Sequence, residues 1–141
     1  IIEQWQKKNP QRLFRLLVNA SPHLKTSVDH LKILMDVLLD NAVKYSVKQI
    51  DITINERNVT IRDYGAGIPA EVQNRLGERF LRGRNAVEKP GWGVGLSLAF
   101  EVAEKLGWKL IFENATPGPG LQVKIVFSSA QTGKSDIGLL N

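Results

Sequence analysis

The chain has 141 residues, of which 43% are hydrophobic and 23% charged, and this composition suits one globular domain with a real core. The net charge is +5, but no basic run is interleaved with aromatic residues, so we expect no nucleic-acid binding. No apolar run approaches the roughly 20 residues of a membrane helix, and the absence of cysteine excludes disulfides and thiolate metal sites. Since the chain does not begin with methionine, we expect it to be a piece of a longer protein.

The predicted elements begin with one strand and one clear helix. Residues 1–11 are mostly polar and are interpreted as a linker or as the end of a preceding helix. Residues 12–18 are apolar and bounded by turn residues, which predicts a strand. Apolar residues then recur every three to four positions, which predicts a helix over residues 28–45 with Ser27 as its N-cap.

Periodicity and turn residues predict further strands at 50–54, 59–62, 110–112 and 121–127, and further helices at 69–76 and 94–106. The first two of these strands are expected to form an antiparallel hairpin. Residues 77–92 have no apolar period and are predicted to be a long irregular loop. Gly107 is predicted to end the last helix. We interpret residues 12–128 as the domain and residues 129–141 as a flexible tail.

An aspartate at the end of a predicted strand is followed by two glycines. Asp63 offers a carboxylate acceptor, and Gly65 and Gly67 leave a backbone that a flat ligand such as adenine can approach closely. Taken alone, the pattern is also that of an ordinary strand-ending turn. Downstream, Gly91 and Gly93 belong to an alternating glycine run before a helix, where free N–H groups can bind phosphate.

Three polar residues lie at the end of the first long predicted helix. Asn41 can supply a hard oxygen to Mg²⁺, or it can cap the helix. Lys44 can pair with phosphate charge, or it can be a solvated lysine that suits the helix dipole. Tyr45 can lie beside adenine, or it can be a core aromatic residue with a solvated hydroxyl.

In order and spacing, four segments resemble the sequence boxes of the ATP-binding domain of sensor histidine kinases. Residues 41–46 resemble the N box, 63–69 the first glycine box, 78–83 the phenylalanine-containing box and 91–98 the second glycine box. The resemblance covers about residues 12–128. It identifies the chain as a member of the superfamily that also contains the Hsp90-type chaperones, the type II topoisomerases and the MutL-type repair proteins.

The resemblance implies a two-layer α/β sandwich, the Bergerat ATP-binding fold, in which helices cover one face of a mixed, mostly antiparallel sheet. It implies ATP and Mg²⁺ as cofactors, with Asp63 on the adenine amino group, Asn41 as the metal ligand, and Asn41 and Lys44 as the catalytic residues. Tyr45 and Lys44 would flank the base and the phosphates, and residues 77–92 would form a mobile lid. The remaining nucleotide-binding residues that it implies are Gly65, Gly67, Ile68, Arg82, Arg84, Lys89, Gly91, Gly93, Val94, Gly95 and Leu96.

Two positions depart from the pattern of the family. Most members have an asparagine four residues before the magnesium ligand, and hydrolysing relatives have a glutamate base there, but this chain has Val37. Since Val37 can be neither a metal ligand nor a general base, we expect slow ATP hydrolysis. Trp92 occupies a glycine-box position where many kinases have a smaller or polar residue, and we expect it to respond to nucleotide.

The histidine that accepts phosphate in such kinases has no counterpart in this chain. His23 and His30 are each followed by leucine and lysine, which does not fit the acceptor pattern. The resemblance therefore implies a cytoplasmic catalytic domain that donates the ATP γ-phosphate to a histidine in a separate dimerisation domain of a homodimeric parent, with or without a membrane anchor. A response regulator would be an indirect partner. An anti-sigma-type serine kinase and a non-catalytic nucleotide-sensing or partner-docking module remain the alternatives.

Overall fold

The structure is a computed structural model that describes residues 1–22, 24, 26–46, 48–67 and 93–127. Within these ranges the elements, in chain order, are α1 (Ile2–Lys8), β1 (Phe14–Val18), α2 (Val28–Tyr45), β2 (Ile50–Ile54), β3 (Asn58–Arg62), α3 (Gly93–Leu106), β4 (Lys109–Asn114) and β5 (Leu121–Val126).

The described strands form one five-stranded sheet in the order β1-β2-β3-β5-β4. β1 pairs in parallel with β2, and the three other pairings are antiparallel. The hairpin of β2 and β3 places Ile52 opposite Ile61. The predicted mixed, mostly antiparallel sheet is therefore confirmed.

Helices α2 and α3 cover one face of the sheet, as predicted. Alternate residues of β2, β3, β4 and β5 point into a single core, which includes Ile52, Ile61 and Ile125 from the sheet and Leu34 and Leu38 from α2. In β1 only the first residue, Phe14, is buried. Burying each such side chain contributes about 1.5–3 kcal/mol. The opposite face of the sheet is mainly polar and exposed, with Leu17 and Ile111 among its few large apolar residues, so the architecture is the two-layer sandwich expected from the sequence.

Helix α2 has the bounds that its periodicity predicts. At its start, Ser27 Oγ accepts a hydrogen bond from the backbone N–H of His30, with 3.3 Å between the two atoms. At its end, the backbone N–H of Ser46 donates to the carbonyl of Ala42 at 2.8 Å, and Ser46 itself has extended backbone angles. The chain therefore leaves the helix at Ser46 and turns toward β2.

The N-terminal residues form a helix that is docked on the domain, a feature that their polar composition did not specify. Trp5 of α1 donates from Nε1 to Asp36 Oδ1 of α2 at 2.9 Å. Gln6 donates to the carbonyl of Arg12 at 2.7 Å and accepts from the backbone N–H of Phe14 at 3.0 Å. Because these bonds shape a turn before the sheet, β1 begins at Phe14 and not at Arg12 as predicted.

The strand predicted at 50–54 is confirmed with its bounds, and the other three strand predictions differ from the structure by one or two residues at their ends. The predicted helix at 69–76, loop at 77–92 and tail at 129–141 lie outside the described residues. The division of the chain into linker, domain and tail remains an interpretation. Among the described helices, none combines the length and the apolar character needed to cross a membrane.

Candidate functional site

Asp63 is a buried carboxylate at the end of β3, with only 4% of its surface exposed. Its Oδ1 accepts hydrogen bonds from the backbone N–H groups of Gly65 at 2.9 Å and Leu121 at 3.1 Å. The backbone N–H of Asp63 donates in turn to the carbonyl of Leu121 at 2.9 Å. No residue in the described part of the chain donates to Oδ2. The carboxylate is thus fixed through one oxygen, and the other can accept a hydrogen bond from a ligand.

The environment of Asp63 disfavours its charged form. Burial raises the pKa of the carboxyl group, and the hydrogen bonds from Gly65 and Leu121 and the charge of Arg62 only partly oppose this rise. The pKa of Asp63 therefore lies above its ordinary value. A hydrogen-bond donor on a ligand would stabilise the carboxylate and offset part of the cost of its burial.

The two glycines after Asp63 are required by close approaches of the neighbouring backbone and side chains. A Cβ on Gly65 would overlap the backbone carbonyl of Tyr45 at the end of α2. Gly67 has a φ of +80°, and a Cβ there would lie 2.6 Å from Oδ1 of Asn114. The loop after β3 therefore packs between the end of α2 and the end of β4, which explains why these positions lack side chains.

A third glycine supports Asp63 from the turn between β4 and β5. Gly120 has a φ of +123°, and a Cβ on it would overlap the backbone carbonyl of Asp63. This close approach brings the N–H of Leu121 to the carboxylate. The sequence analysis assigned no function to the segment between the strands predicted at 110–112 and 121–127. The sequence shows that Gly120 lies between a proline and a predicted strand. That position alone does not indicate which residue Gly120 contacts.

Tyr64 joins the loop to the polar face of the sheet. Its hydroxyl donates to Asp51 Oδ2 at 2.6 Å, and the guanidinium carbon of Arg62 lies 4.4 Å from the centre of its ring. The hydrogen bond to Asp51, together with burial and the Asp51 charge, raises the pKa of Tyr64. Arg62 also donates to the carbonyl of Pro117 at 2.7 Å. These contacts connect β2, β3 and the turn after β4 through the two residues that flank Asp63 in the chain, Arg62 and Tyr64.

The end of α2 presents the polar residues predicted to bind phosphate and metal. Asn41 is half-buried one turn before Tyr45, whose backbone contacts Gly65, so the structure brings the end of α2 and the Asp63 loop together. Lys44 pairs with Asp40 at 3.3 Å, and both side chains are more than half exposed. Val37 is partly buried and packs against the core, so it adds no polar atom beside Asn41.

The remaining predicted site residues are tested only in part. Gly93, Val94, Gly95 and Leu96 form the first turn of α3, where backbone N–H groups have no partner within the helix. Within the described ranges, no group of three His, Cys, Asp or Glu residues is placed to hold a metal ion. The predicted residues that lie outside the described part of the chain are Ile68, Arg82, Arg84, Lys89, Gly91 and Trp92.

Comparison with known proteins gives consistent results. The family model described as "Histidine kinase-, DNA gyrase B-, and HSP90-like ATPase" matches residues 26–131. The sensor histidine kinase YkoH of Bacillus subtilis (strain 168) is 38% identical over 116 residues, which cover 78% of this chain and 25% of YkoH. The sensor protein QseC of Escherichia coli (strain K12) is 39% identical over 116 residues, covering 79% of this chain and 25% of QseC.

Solved structures show the same similarity. The cytoplasmic segment of the histidine kinase QseC superposes with a TM-score of 0.67 and 26% identity, covering 90% of this chain and 69% of that segment. The mycobacterial sensor histidine kinase MprB gives the same TM-score and identity over 89% of this chain and 87% of that structure. The present chain spans about a quarter of the length of the two curated relatives that it matches.

Proposed function

Because the chain belongs to the family of histidine kinase-, DNA gyrase B- and HSP90-like ATPases, we propose that it binds Mg-ATP as the catalytic domain of a sensor histidine kinase. Its role would be to present the γ-phosphate to a histidine in a separate dimerisation domain of the same kinase. A response regulator would then receive the phosphoryl group. Membrane anchoring and dimerisation would belong to the parent protein.

The proposal rests on the hydrogen bonding of the Asp63 carboxylate. Its Oδ1 is occupied by two backbone N–H groups, and its Oδ2 accepts no hydrogen bond from a described residue. The adenine amino group is a donor of the right chemistry for that oxygen. Gly65 and Gly67 let the loop that holds Asp63 pack directly against the backbone of Tyr45 and the side chain of Asn114. A site that offers an acceptor to the amino group favours adenine over bases with a carbonyl at the same position.

Asn41 suits a magnesium ion that is held mainly by phosphate and water. Mg²⁺ commonly takes one or two protein oxygens and completes its octahedron with substrate phosphates and water. The amide oxygen of Asn41 provides one such ligand, and no described residue forms a hydrogen bond with its side chain. When bound, Mg²⁺ would neutralise charge on the phosphates. Val37 supplies no second ligand, so the proposal requires the metal to bind with the nucleotide.

Lys44 would exchange its contact with Asp40 for a contact with a phosphate of the nucleotide. Its contact with Asp40 joins two exposed side chains, and such pairs contribute only about 0–1 kcal/mol. A phosphate near the end of α2 could therefore displace Asp40 at little cost. Catalysis would consist of positioning the nucleotide and neutralising its charge, because phosphoryl transfer requires little covalent participation by the protein. The nucleophile would be the histidine of the dimerisation domain.

The direct test is to mix the chain with a dimerisation domain that contains the acceptor histidine, together with Mg-ATP, and to assay for acid-labile phosphohistidine. The proposal predicts labelling that requires both proteins and disappears when the acceptor histidine is replaced. Labelling of serine would support the serine-kinase alternative. ATP binding without any transfer would support a nucleotide-sensing module, the candidate that the partly buried Val37 favours.

A further inference from the structure

The hydroxyl group of Ser46 connects the end of α2 to the loop that holds Asp63. Ser46 is only 1% exposed. Its Oγ donates to the carbonyl of Gln49 at 2.9 Å and accepts from the backbone N–H of Tyr64 at 3.1 Å. Both groups of the hydroxyl are therefore used, one toward the α2–β2 connection and one toward the Asp63 loop. No functional residue was expected at this position from the sequence, although it closes the segment that resembles the N box.

The residue that Ser46 holds lies between Asp63 and Gly65, one of the two residues whose N–H groups fix the carboxylate. Tyr64 follows Asp63 and precedes Gly65, whose N–H donates to Asp63 Oδ1. The side chain of Tyr64 is held separately by Asp51, so the Ser46 contact acts on its backbone. Without that contact, the Tyr64 N–H loses its acceptor in a region that the α2 terminus covers. The peptide would then rotate to find another partner and loosen the Gly65 hydrogen bond.

We infer that Ser46 is a positioning residue for nucleotide recognition, which orients Oδ2 of Asp63 by holding the backbone N–H of Tyr64. The inference rests on the proposed assignment of Asp63 to the adenine amino group. Ser46 itself touches no part of the nucleotide in this account. Its effect is on the choice of base, because the selectivity of Asp63 depends on the direction in which its free oxygen points.

The effect is measured by comparing two nucleotides, ATP and ITP. At one ring position the base of ATP has an amino group and the base of ITP has a carbonyl. A fixed carboxylate acceptor favours ATP and repels the carbonyl of ITP. The parent chain should therefore bind ATP on the order of 100-fold more tightly than ITP, since a site built to pair with a polar group rejects an analogue that lacks it. Ser46→Ala should reduce this ratio by about tenfold, mainly through weaker ATP binding.

The experiment measures the dissociation constants of ATP and ITP by calorimetry in the 141-residue chain. The parent, Ser46→Ala and Ser46→Cys are compared. Cysteine has the same connectivity as serine, although it is somewhat larger, and its sulfur is a much weaker acceptor, so this variant serves if the alanine variant does not fold. Ile125→Val is the matched control. It shortens a fully buried core residue of β5 and lowers stability by about 0.5–1.5 kcal/mol without touching the loop.

The inference predicts a reduced ratio in the Ser46 variants and an unchanged ratio in Ile125→Val. A purely structural role would lower the melting temperature in all three variants and leave the ratio as in the parent, and that result would overturn the inference alone. A parent that does not distinguish ATP from ITP would overturn the assignment of Asp63 as well, so the two failures are distinguishable.

Discussion

The backbone carbonyl of Tyr45 lies against the Cα of Gly65, in the space that a Cβ would occupy at that position. This contact joins the end of α2, with Asn41 one turn earlier, to the loop that holds Asp63. No side chain lies between the two segments at this point. The groups proposed to bind metal and adenine are therefore positioned relative to each other by backbone packing, which tolerates little change.

Gly65→Ala should disrupt nucleotide binding more than it disrupts folding. The added methyl group must displace either the Tyr45 carbonyl or the loop, at a cost of about 1–3 kcal/mol in stability. We expect ATP affinity to fall by more than the tenfold that about 1.4 kcal/mol represents. Calorimetry with ATP and thermal unfolding measure the two effects.

Gly107→Ala is the matched control for this substitution. Gly107 has a φ of +73°, so alanine is strained there as well, but apart from its chain neighbours no described residue has an atom within 4 Å of the added Cβ. It follows α3, at the opposite end of that helix from the glycines predicted to meet phosphate. We expect Gly107→Ala to lose stability and to keep its ATP affinity. Equal ATP affinity in both variants would contradict the packing argument.

The raised pKa of Asp63 predicts how stability depends on pH. Between the ordinary aspartate pKa of about 3.9 and the higher pKa of the folded protein, the folded state keeps its proton while the unfolded state has lost it. The contribution of Asp63 to stability is thus fully present below pH 3.9, roughly, and is lost as the pH rises through the folded pKa.

The measurement is the free energy of unfolding in urea at several pH values for the parent and for Asp63→Asn. We expect the difference, parent minus variant, to decrease as the pH rises and then to become constant. A difference that increases with pH would mean that the folded pKa is lowered, and the burial argument would be wrong.

The sequence predicts the layers of this fold well because its strands and helices have clear periods. The alternation at Ile50, Ile52 and Ile54 and the stripe along α2 follow directly from which residues face the core. Asp63, Gly65 and Gly67 could be identified because an acceptor beside two glycines is visible in one segment.

The tertiary contacts that hold this segment in place could not be predicted from the sequence. Leu121 reaches Asp63 from 58 residues away, together with the preceding Gly120, through strand pairing between β3 and β5. Ser46 and Tyr64 meet because α2 ends beside the loop. The docking of Trp5 on Asp36 depends on how α1 folds back over α2, which a short polar segment does not specify.

Asp36→Asn should loosen α1 from the domain. Partial burial raises the pKa of Asp36, but the hydrogen bonds from Lys32 and Trp5 and the charges of Lys32 and Lys8 outweigh it, so the pKa lies below its ordinary value. The stability that the carboxylate provides is therefore present above the ordinary pKa and lost as the pH falls through the lowered one. At neutral pH we expect a loss of about 1 kcal/mol in stability.

Faster hydrogen exchange across α1 and a change in Trp5 emission should accompany that loss. Asp40→Asn is the control for stability, because Asp40 forms a similar pair with Lys44 four residues later but contacts no tryptophan in the described structure. If the two variants lose equal stability and α1 exchanges as in the parent, the Trp5–Asp36 bond does not hold the helix.

Val37→Asn should strengthen metal binding to the nucleotide complex. It would place a second amide oxygen one turn before Asn41, and loss or gain of one supporting group changes metal affinity by about tenfold or more. The Mg²⁺ dependence of ATP binding measures this change. Val37→Leu, which adds no oxygen, is the control, and an identical Mg²⁺ dependence in both variants would show that position 37 does not face the metal.

The most direct test of the central claim is the affinity of Asp63→Asn for ATP and ITP. The N–H groups of Gly65 and Leu121 require an acceptor, so the amide oxygen of the asparagine should take the place of Oδ1 and its NH₂ group the place of Oδ2. A donor would then face the adenine amino group of ATP or the carbonyl of ITP. We predict that the folded variant loses ATP binding and prefers ITP, reversing the order of the parent. An unchanged preference for ATP in the folded variant would contradict the claim that Asp63 recognises the base.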